Sequence, residues 1–203
     1  MIPSDRTQLR LAMRQQRKAI PESIRNATAH AIARHLSRAL LTKGQRIAVY
    51  AAFDGEIDLA PIVRLAKRAQ CNVYAPRIVN MRARTMEFIE LATRDSYKAT
   101  SGYKTNRFSI LEPRSNLQRR IDPRLLDVVL VPLVAFDAHG WRLGFGAGFY
   151  DRKFGFLRRR FRPKPLLIGV GYEFQRVPRQ TPSPWDVLLN AVVTERGIQC
   201  CRR

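Results

Sequence analysis

The sequence predicts a single-domain α/β protein, residues 1–203, whose three layers place helices on both faces of a mostly parallel or mixed sheet. The chain has 203 residues, and because domains average about 150 residues, one domain is expected. From residue 46 onward, short branched apolar runs alternate with segments of helical periodicity, a pattern typical of parallel strands joined by helices. Hydrophobic residues make up 45% of the chain and charged residues 26%, which excludes a disordered or low-complexity protein.

Residues 1–44 predict a helical cover at the start of this domain. A basic, mostly exposed helix covers residues 4–20, and Ser4 or Asp5 is its candidate N-cap because a short polar side chain there accepts a backbone hydrogen bond. A second helix begins at Pro21, since proline suits the first turn of a helix. Its apolar positions approximate one helical stripe, which we expect to face the sheet.

Six apolar runs and one helical segment predict the sheet and its first crossover. The run at 127–131 is continuous and branched, as expected of a strand that is buried on both faces. Residues 96–124 combine glycine, prolines and mixed charges without a sustained period, so they are expected to be rich in loops. The predicted strands are 47–52, 71–75, 86–91, 127–131, 166–170 and 191–193, and the predicted helix is 59–69.

The net charge is the abnormal feature of the composition. The chain has 37 Lys and Arg residues against 16 Asp and Glu, a formal charge of +21 at pH 7. Such an imbalance concentrates anions around the protein and favours nucleic acid, acidic membranes or polyanionic small molecules as partners, without choosing among them. The longest apolar run, 128–136, has nine residues and contains Pro132, far short of the roughly 18 residues of a membrane span.

The N-terminus and the cysteines favour a reducing compartment. Residues 1–10 lack the apolar stretch of a secretory signal, so a cytoplasmic location is expected. Cys71, Cys200 and Cys201 have no C-x-x-C spacing and are too few for a disulfide framework or a structural zinc site. We therefore expect reduced thiols.

The strongest local feature is a glycine-rich loop between a predicted buried strand and a predicted helix that extends to about residue 160. Three alternating glycines are unfavourable inside a helix, but glycine permits positive φ and lets backbone N–H groups approach a ligand. At a helix start such a loop cradles phosphate groups, and Asp151 is then placed to hold Mg²⁺ on them. The alternative is a tight strand-to-helix turn without a ligand. The loop consists of Arg142, Leu143, Gly144, Phe145, Gly146, Ala147, Gly148, Phe149, Tyr150 and Asp151.

Several short motifs, some of them parts of this loop, follow one another along the chain. They are Arg6-x-x-Leu9-Arg10, Glu56-Ile57-Asp58, Pro76-Arg77, Met86-x-Phe88, Ile110-x-Glu112-Pro113, Phe136-Asp137, His139-Gly140-x-Arg142-Leu143-Gly144, Gly148-Phe149-Tyr150-Asp151-Arg152 and the stretch 186–195. This ordered set, which spans nearly the whole chain, resembles the 5-formyltetrahydrofolate cyclo-ligase family, also called methenyltetrahydrofolate synthetase.

The resemblance implies both a fold and a reaction. The fold would be cyclo-ligase-like, of the NagB/RpiA/CoA-transferase-like class. The reaction would convert 5-formyltetrahydrofolate to 5,10-methenyltetrahydrofolate with ATP as co-substrate and Mg²⁺ as cofactor, releasing ADP and phosphate through a phosphorylated formyl (iminium phosphate) intermediate. The partners would be these small molecules, with no membrane span, and we expect a monomer.

The resemblance also implies roles for individual residues. Arg142 and Tyr150 would take part in catalysis, and Asp151 and Asp186 would hold Mg²⁺. A carboxylate at Glu56 suits the amino and ring N–H donors of a pterin. ATP would contact Arg6, Arg10, Arg142, Leu143, Gly144, Phe145, Gly146, Ala147, Gly148, Phe149 and Tyr150. The folate would contact Ala51, Phe53, Glu56, Phe108, Gly146, Ala147, Gly148 and Phe149.

Some residues depart from the usual pattern of the family. Phe149 stands where Tyr is usual, Trp185 stands where His usually precedes Asp186, and Asn190 stands in place of a second Asp. These departures leave open an altered relative that binds folate or nucleotide without efficient cyclisation. Binding of nucleic acid is a further alternative, because the run 158–164 mixes basic and aromatic residues. No RNA-binding or zinc-finger signature accompanies that run, so a solvated basic face is favoured.

Overall fold

The computed structural model of the protein describes residues 5–91, 103–105, 111–113, 119–159 and 164–202. In these ranges the chain forms the helices α1 Arg6–Lys18, α2 Glu22–Leu40, α3 Ala60–Arg68 and α4 Phe149–Lys153, with 3₁₀ helices at Pro123–Leu125, Gly155–Arg159 and Glu173–Gln175. Its strands are β1 Arg46–Ala48, β2 Asn72–Asn80, β3 Thr85–Glu90, β4 Tyr103–Thr105, β5 Leu111–Pro113, β6 Arg120–Ile121, β7 Val128–Pro132, β8 Ala135–Phe136, β9 Arg142–Leu143, β10 Leu166–Val170, β11 Ala191–Thr194 and β12 Gly197–Cys200.

In the described ranges, one mixed sheet of eight strands organises the fold, in the order β12-β11-β10-β7-β1-β2-β3-β6. The central strands from β11 to β2 are parallel. At the two edges, β12, β3 and β6 run antiparallel to their neighbours. Two separate ribbons pair β4 with β5 and β8 with β9. The predicted α/β class with a mostly parallel or mixed sheet is confirmed.

Helices α2 and α3 cover one face of the sheet. Ile32 and Leu36 of α2 and Val63 of α3 are buried in one cluster with Val49 and with Leu130 of β7. Burial of this apolar stripe stabilises the helices, since a helix in water gains little stability from its own hydrogen bonds. Four successive residues of β7 are buried, as the continuous apolar run predicts for a strand that is covered on both faces.

The opposite face is covered by α4 and the segments around it. Phe154, which follows α4, packs on Phe88 of β3 with 5.8 Å between ring centroids. Helix α1 lies apart from α2, because its buried Leu9 and Met13 pack with Trp141 in a third cluster near the β8–β9 ribbon. The two N-terminal helices therefore contact different parts of the molecule, and α1 lies beside the ends of the central strands.

The boundaries of several elements differ from the sequence prediction. The strand predicted at 47–52 leaves the sheet after Ala48, and the helix predicted to continue to about residue 160 ends at Lys153, where Phe154 and Gly155 turn the chain into a 3₁₀ helix. Within 96–124, which is predicted to be rich in loops, the described residues include three short strands, β4, β5 and β6. Within the described ranges, no helix is long and apolar enough to cross a membrane.

Candidate active site

A cavity of about 840 Å³ opens at the carboxyl ends of the central parallel strands. Tyr50 and Ala51, which follow β1, and Leu133, which follows β7, form part of its wall. Parallel α/β sheets bind ligands at this edge, because loops from neighbouring strands converge there. Tyr50 and Ala51, which are predicted to belong to the first strand, therefore lie beyond its end and line the cavity.

The glycine-rich loop forms one wall of the cavity. Gly146 has a φ of +108° and Gly148 a φ of +67°, conformations that residues with a side chain rarely adopt. A Cβ atom at Gly146 would lie 3.8 Å from Cζ of Arg10, and one at Gly148 would lie 3.7 Å from Nη1 of Arg84. Two guanidinium groups thus lie directly against the loop, an arrangement that suits phosphate groups. Helix α4 has only five residues, so its dipole is small, and the positive charge at the loop comes mainly from these two arginines.

Helix α1 presents Arg6 and Arg10 to the cavity, because residues four positions apart share one face of a helix. Its start is fixed by Asp5, whose carboxylate accepts a hydrogen bond from the backbone of Thr7. Arg10 Nε donates to the carbonyl oxygen of Gly144 at 3.0 Å. Partial burial and the nearby positive charges of α1 lower the pKa of Arg10. Positive charge is therefore concentrated here, which favours an anionic ligand.

Glu56 lies in a tight turn after β1. Asp54 and Gly55 adopt φ values of +53° and +78°, and Glu56 Oε2 accepts a hydrogen bond from the backbone N–H of Phe53 at 3.1 Å. Burial raises the pKa of Glu56 to about 7, against the opposing charge of Arg17. The carboxyl group therefore changes charge near neutral pH, and only its ionised form accepts with both oxygens.

Aromatic rings supply a further part of the wall. The ring centroids of Phe53 and Phe145 are 5.5 Å apart, and the guanidinium of Arg14 lies 4.2 Å from the centroid of Phe145. Phe149 also lines the cavity. Such rings provide apolar contact area for a planar heterocycle or benzoyl group.

Tyr150 combines an aromatic ring with a protected hydroxyl. Its ring stacks near Phe154 at 6.2 Å between centroids. Burial raises the pKa of the Tyr150 phenol, Glu56 raises it further, and Arg142 opposes them. The hydroxyl therefore stays protonated at neutral pH and is available as a hydrogen-bond donor.

Arg142 on β9 and Asp151 on α4 form a partly buried ion pair beside the cavity. Arg142 Nη2 lies 2.7 Å from Asp151 Oδ1, and the Arg142 side chain is only 5% exposed. The backbone N–H of Val187 donates to the same oxygen at 3.0 Å, and the Arg142 guanidinium donates to the Val187 carbonyl. Within the described ranges, both hydrogen bonds to the Asp151 side chain are accepted by Oδ1, which leaves Oδ2 for a ligand.

Asp186 is the second carboxylate predicted to bind a metal. Its Oδ2 accepts from the backbone N–H of Ser183 at 2.8 Å and lies 3.8 Å from Arg6 Nη2. Across the described ranges, no group of three or more His, Cys, Asp or Glu side chains could hold a metal ion. Mg²⁺ nevertheless fits this donor set, because it is usually bound by one or two carboxylates and completes its shell with water and substrate phosphates.

The cavity brings together every predicted site residue except Phe108, which lies outside the described residues. Trp185 lies at the rim and is 65% exposed. Asn190 does not line the cavity: its Oδ1 accepts from the backbone N–H of Leu167 in β10 at 2.8 Å. Asparagine at this position therefore removes no carboxylate from the cavity. The predicted residues in the wall are Arg6, Arg10, Ala51, Phe53, Glu56, Arg142, Leu143, Gly144, Phe145, Gly146, Ala147, Gly148, Phe149, Tyr150, Asp151 and Asp186.

Three further arginines line the cavity that sequence reasoning did not assign to it, namely Arg84, Arg152 and Arg158. Arg84 lies at the tip of the β2–β3 hairpin with a φ of +53°, and Arg152 donates to the carbonyl oxygen of Ala83 at 2.9 Å. Contact between a hairpin tip and a distant loop has no local signal in the sequence. Arg158 opens the basic run 158–164, so this part of the run faces the cavity; residues 160–163 lie outside the described ranges. Among the described residues, six arginines and three carboxylates thus line the cavity.

Known proteins resemble this chain over most of its length. The model of the 5-formyltetrahydrofolate cyclo-ligase family matches residues 3–195. The 5-formyltetrahydrofolate cyclo-ligase of Escherichia coli K12 is 33% identical over 183 residues, which cover 90% of this chain and 96% of that protein. The protein of the same name from Haemophilus influenzae is 34% identical over 148 residues, 72% of this chain and 74% of that one.

Solved structures agree with the sequence relatives. The NMR structure of 5,10-methenyltetrahydrofolate synthetase from Aquifex aeolicus is similar with a TM-score of 0.77 and 27% identity, covering 98% of this chain and 93% of that one. The 5,10-methenyltetrahydrofolate synthetase from Mycoplasma pneumoniae is similar with a TM-score of 0.71 and 25% identity, covering 94% and 99%. The likeness therefore extends over more than nine tenths of each chain.

Proposed function

The chain belongs to the 5-formyltetrahydrofolate cyclo-ligase family and is an enzyme of that class, and on this premise we propose that it closes the folate ring with ATP and Mg²⁺. Its substrates would be 5-formyltetrahydrofolate and ATP, and its products 5,10-methenyltetrahydrofolate, ADP and phosphate. One observation carries the proposal: a single cavity holds both an arginine-flanked glycine loop and a buried, titratable carboxyl group. The first suits a polyphosphate and the second a heterocycle with N–H donors.

The triphosphate would bind along the glycine-rich loop. Arg10 and Arg84 lie against Gly146 and Gly148, where their charges would neutralise phosphate oxygens while backbone N–H groups donate to them. Arg6 would add a third positive charge from the same helix as Arg10. Phosphoryl transfer needs mainly this neutralisation and alignment, because the protein forms no covalent bond to the phosphate.

Asp151 and Asp186 would hold Mg²⁺ beside the phosphates. Arg142 and the backbone of Val187 fix one oxygen of Asp151, and Ser183 fixes one oxygen of Asp186. Each carboxylate would then turn its other oxygen towards the ion. When bound, the ion would offset the charge that develops on the transferring phosphoryl group.

The folate would bind beside the Glu56 turn. The Glu56 carboxylate would accept hydrogen bonds from the amino and ring N–H groups of the pterin. Phe53 and Phe149, with Ala51, would pack along the planar rings, and Phe108 stays a predicted contact. This placement would bring the formyl group towards the glycine loop, where the two substrates must meet.

The reaction would run in two steps. The formyl oxygen attacks the γ-phosphorus, an oxygen–phosphorus bond forms and ADP leaves, which gives an N5 iminium phosphate. N10 then attacks the formyl carbon and loses its proton, and the carbon–oxygen bond breaks to release phosphate. The enzyme holds the reacting atoms of the two bound substrates in alignment, and this alignment lowers the activation free energy by a large amount.

Tyr150 and Arg142 would act on the charge that moves in these steps. The Tyr150 hydroxyl, kept protonated by burial, would donate to an oxygen that becomes more negative. The Arg142 guanidinium would contribute positive charge at short range while it holds Asp151.

The route through a phosphorylated formyl group can be tested with isotopes. With ¹⁸O in the formyl oxygen of 5-formyltetrahydrofolate, the label should be recovered in the released phosphate by mass spectrometry. Unlabelled phosphate from active enzyme would rule out this intermediate. We also propose that the enzyme is a cytoplasmic monomer. Light scattering of the purified protein would test the monomeric state.

A further inference from the structure

Arg17, on the last turn of α1, is a charged side chain that is only 1% exposed. Burial of a guanidinium is unfavourable unless its N–H groups find partners. Nε donates to the carbonyl oxygen of Asp54 at 2.9 Å, Nη2 donates to Asp54 Oδ2 at 3.1 Å, and Nη1 donates to the carbonyl oxygen of Leu133 at 3.2 Å. The side chain thus joins α1, the turn after β1 and the segment after β7.

The segments that Arg17 joins are walls of the cavity. Leu133 lines it, and the turn contributes Phe53 and Glu56. The approach is close, because a Cβ atom at Gly55 would lie 3.3 Å from both Cγ and the carbonyl oxygen of Arg17. A displacement of Arg17 would therefore be transmitted directly to the turn.

Among the described residues, Arg17 is also the one cation that forms an ion pair with the Glu56 carboxyl group. Its Nη1 lies 4.0 Å from Glu56 Oε1. The other groups that act on Glu56 are the backbone N–H of Phe53 and the charge of Asp54 in the same turn, while Tyr150 of α4 faces it with a neutral hydroxyl. Arg17 therefore supplies the side-chain charge that favours the ionised form of Glu56.

Asp54 does not depend on Arg17 alone. Arg14 Nε lies 2.7 Å from Asp54 Oδ2, and Lys18 Nζ lies 2.9 Å from Asp54 Oδ1. The Leu133 carbonyl also accepts from Gln175 Nε2 at 3.3 Å. Among the basic side chains that surround Asp54, Arg17 differs in two contacts: Nε donates to the Asp54 carbonyl oxygen, and Nη1 approaches Glu56. The buried guanidinium thus does more than balance a carboxylate that already has two other partners.

We propose that Arg17 is a positioning residue for folate binding, which holds the Glu56 carboxylate in place and in its ionised form without touching the substrate. This role rests on the proposed function of the cavity, in which Glu56 accepts from the pterin. It adds to the site a residue that lies behind the wall rather than in it.

Matched variants of neighbouring residues test this role. Arg17→Met removes all three arms, Arg17→Lys keeps the charge without the forked geometry, and Lys18→Met removes a partner of Asp54 whose side chain is 60% exposed. In Arg17→Met we expect the KM for 5-formyltetrahydrofolate to rise roughly tenfold or more while the KM for ATP changes less than about twofold. Arg17→Lys should fall between it and the wild type, and Lys18→Met should match the wild type.

A second readout follows Glu56 without catalysis. In protein with ¹³C-labelled glutamate carboxyl groups, the Glu56 signal is assigned by its loss in Glu56→Gln and is titrated by NMR. Arg17→Met should titrate at higher pH than the wild type, whereas Lys18→Met should titrate at nearly the same pH as the wild type.

The results separate this role from the proposed function. Equal rises in both KM values, or an unchanged Glu56 titration in folded Arg17→Met, would overturn the positioning role. If thermal melts show that Arg17→Met does not fold, Arg17→Lys decides by the same criteria, and failure of both variants to fold would show a purely structural role. A wild-type enzyme without turnover would refute the proposed function, while the titration would still test the coupling of Arg17 to Glu56.

Discussion

Arg142 and Asp151 lie 2.7 Å apart, and the backbone N–H of Val187 donates to the same carboxylate oxygen at 3.0 Å. Residues from β9, from α4 and from the segment before β11 thus meet at one atom. Because that oxygen is occupied, the orientation of Asp151 is fixed, and its other oxygen is the one that the proposed Mg²⁺ would contact.

Removal of the Asp151 carboxylate should strongly reduce turnover. Asp151→Ala leaves Arg142 buried without its partner and removes a proposed Mg²⁺ ligand, so we expect kcat to fall by a factor on the order of 100 or more. Initial rates measured over a range of Mg²⁺ concentrations test this. Asp122→Asn is the matched control, since the Asp122 side chain is 48% exposed and does not line the cavity. Near-normal activity of Asp151→Ala would remove Asp151 from the metal site.

The affinity for folate should depend on pH through Glu56. The pKa of Glu56 is about 7, so its ionised fraction falls roughly tenfold as pH decreases from about 8 to about 6. If the pterin needs the carboxylate, the KM for 5-formyltetrahydrofolate should rise by a similar factor over this range while the KM for ATP does not. Glu56→Gln should show a high KM that no longer varies with pH. If the KM for 5-formyltetrahydrofolate still varies with pH in Glu56→Gln, the titration belongs to another group.

The charge on Asp54 should stabilise the fold. Burial acts to raise its pKa, but hydrogen bonds from Arg14 and Lys18 lower it to about 2. The folded-state pKa lies below the unfolded-state value, so the stabilisation is present above about pH 4 and is lost as the pH falls through about 2.

Asp54→Asn should therefore lower the free energy of unfolding at neutral pH, by about 2–4 kcal/mol, because Arg17 loses its buried counter-charge. Urea unfolding at several pH values measures the difference, which should shrink towards pH 2. The exposed pair of Asp122 and Arg124 gives the comparison, since Asp122→Asn should cost less than about 1 kcal/mol. A difference for Asp54→Asn that is constant with pH would contradict the assignment.

A methyl group on the glycine loop should impair ATP binding. Gly146 has a φ of +108°, and a Cβ atom there would lie 3.8 Å from Cζ of Arg10. Gly146→Ala should therefore strain the loop backbone and place a methyl group on the Arg10 side of the loop, where the triphosphate is proposed to bind, and so raise the KM for ATP. Gly44→Ala introduces similar backbone strain at a φ of +80° with no heavy atom within 4 Å of the new Cβ. It should destabilise the protein by about 1 kcal/mol without a change in KM, and equal KM changes in both variants would attribute the effect to strain alone.

Local patterns predict the parts of the structure that depend on neighbours in sequence. The strand predicted at 166–170 matches β10 at both ends, because its continuous apolar residues suit a strand covered on both faces. The glycine-rich loop also lies where it is predicted, since alternating glycines disfavour both helix and strand and favour a turn. The motifs around Glu56 and Arg10 join the loop in one predicted site only through the ordered resemblance to one family.

Residues whose role depends on distant segments have no such signal. Arg84 reaches the loop because the β2–β3 hairpin folds over it, and Arg17 is buried because three separate segments converge on it. In sequence, both are single arginines in a chain with 37 basic residues. Asn190 illustrates the opposite error, since it lies in a stretch that resembles the family but bonds to the start of β10 rather than facing the cavity.

The most direct measurement is the absorbance assay for methenyltetrahydrofolate with purified protein, 5-formyltetrahydrofolate, ATP and Mg²⁺, and with each component omitted in turn. We predict product only when all three are present, with one ADP released per folate converted. Product that forms without ATP, or folded protein that binds ATP and forms none, would contradict the proposed reaction.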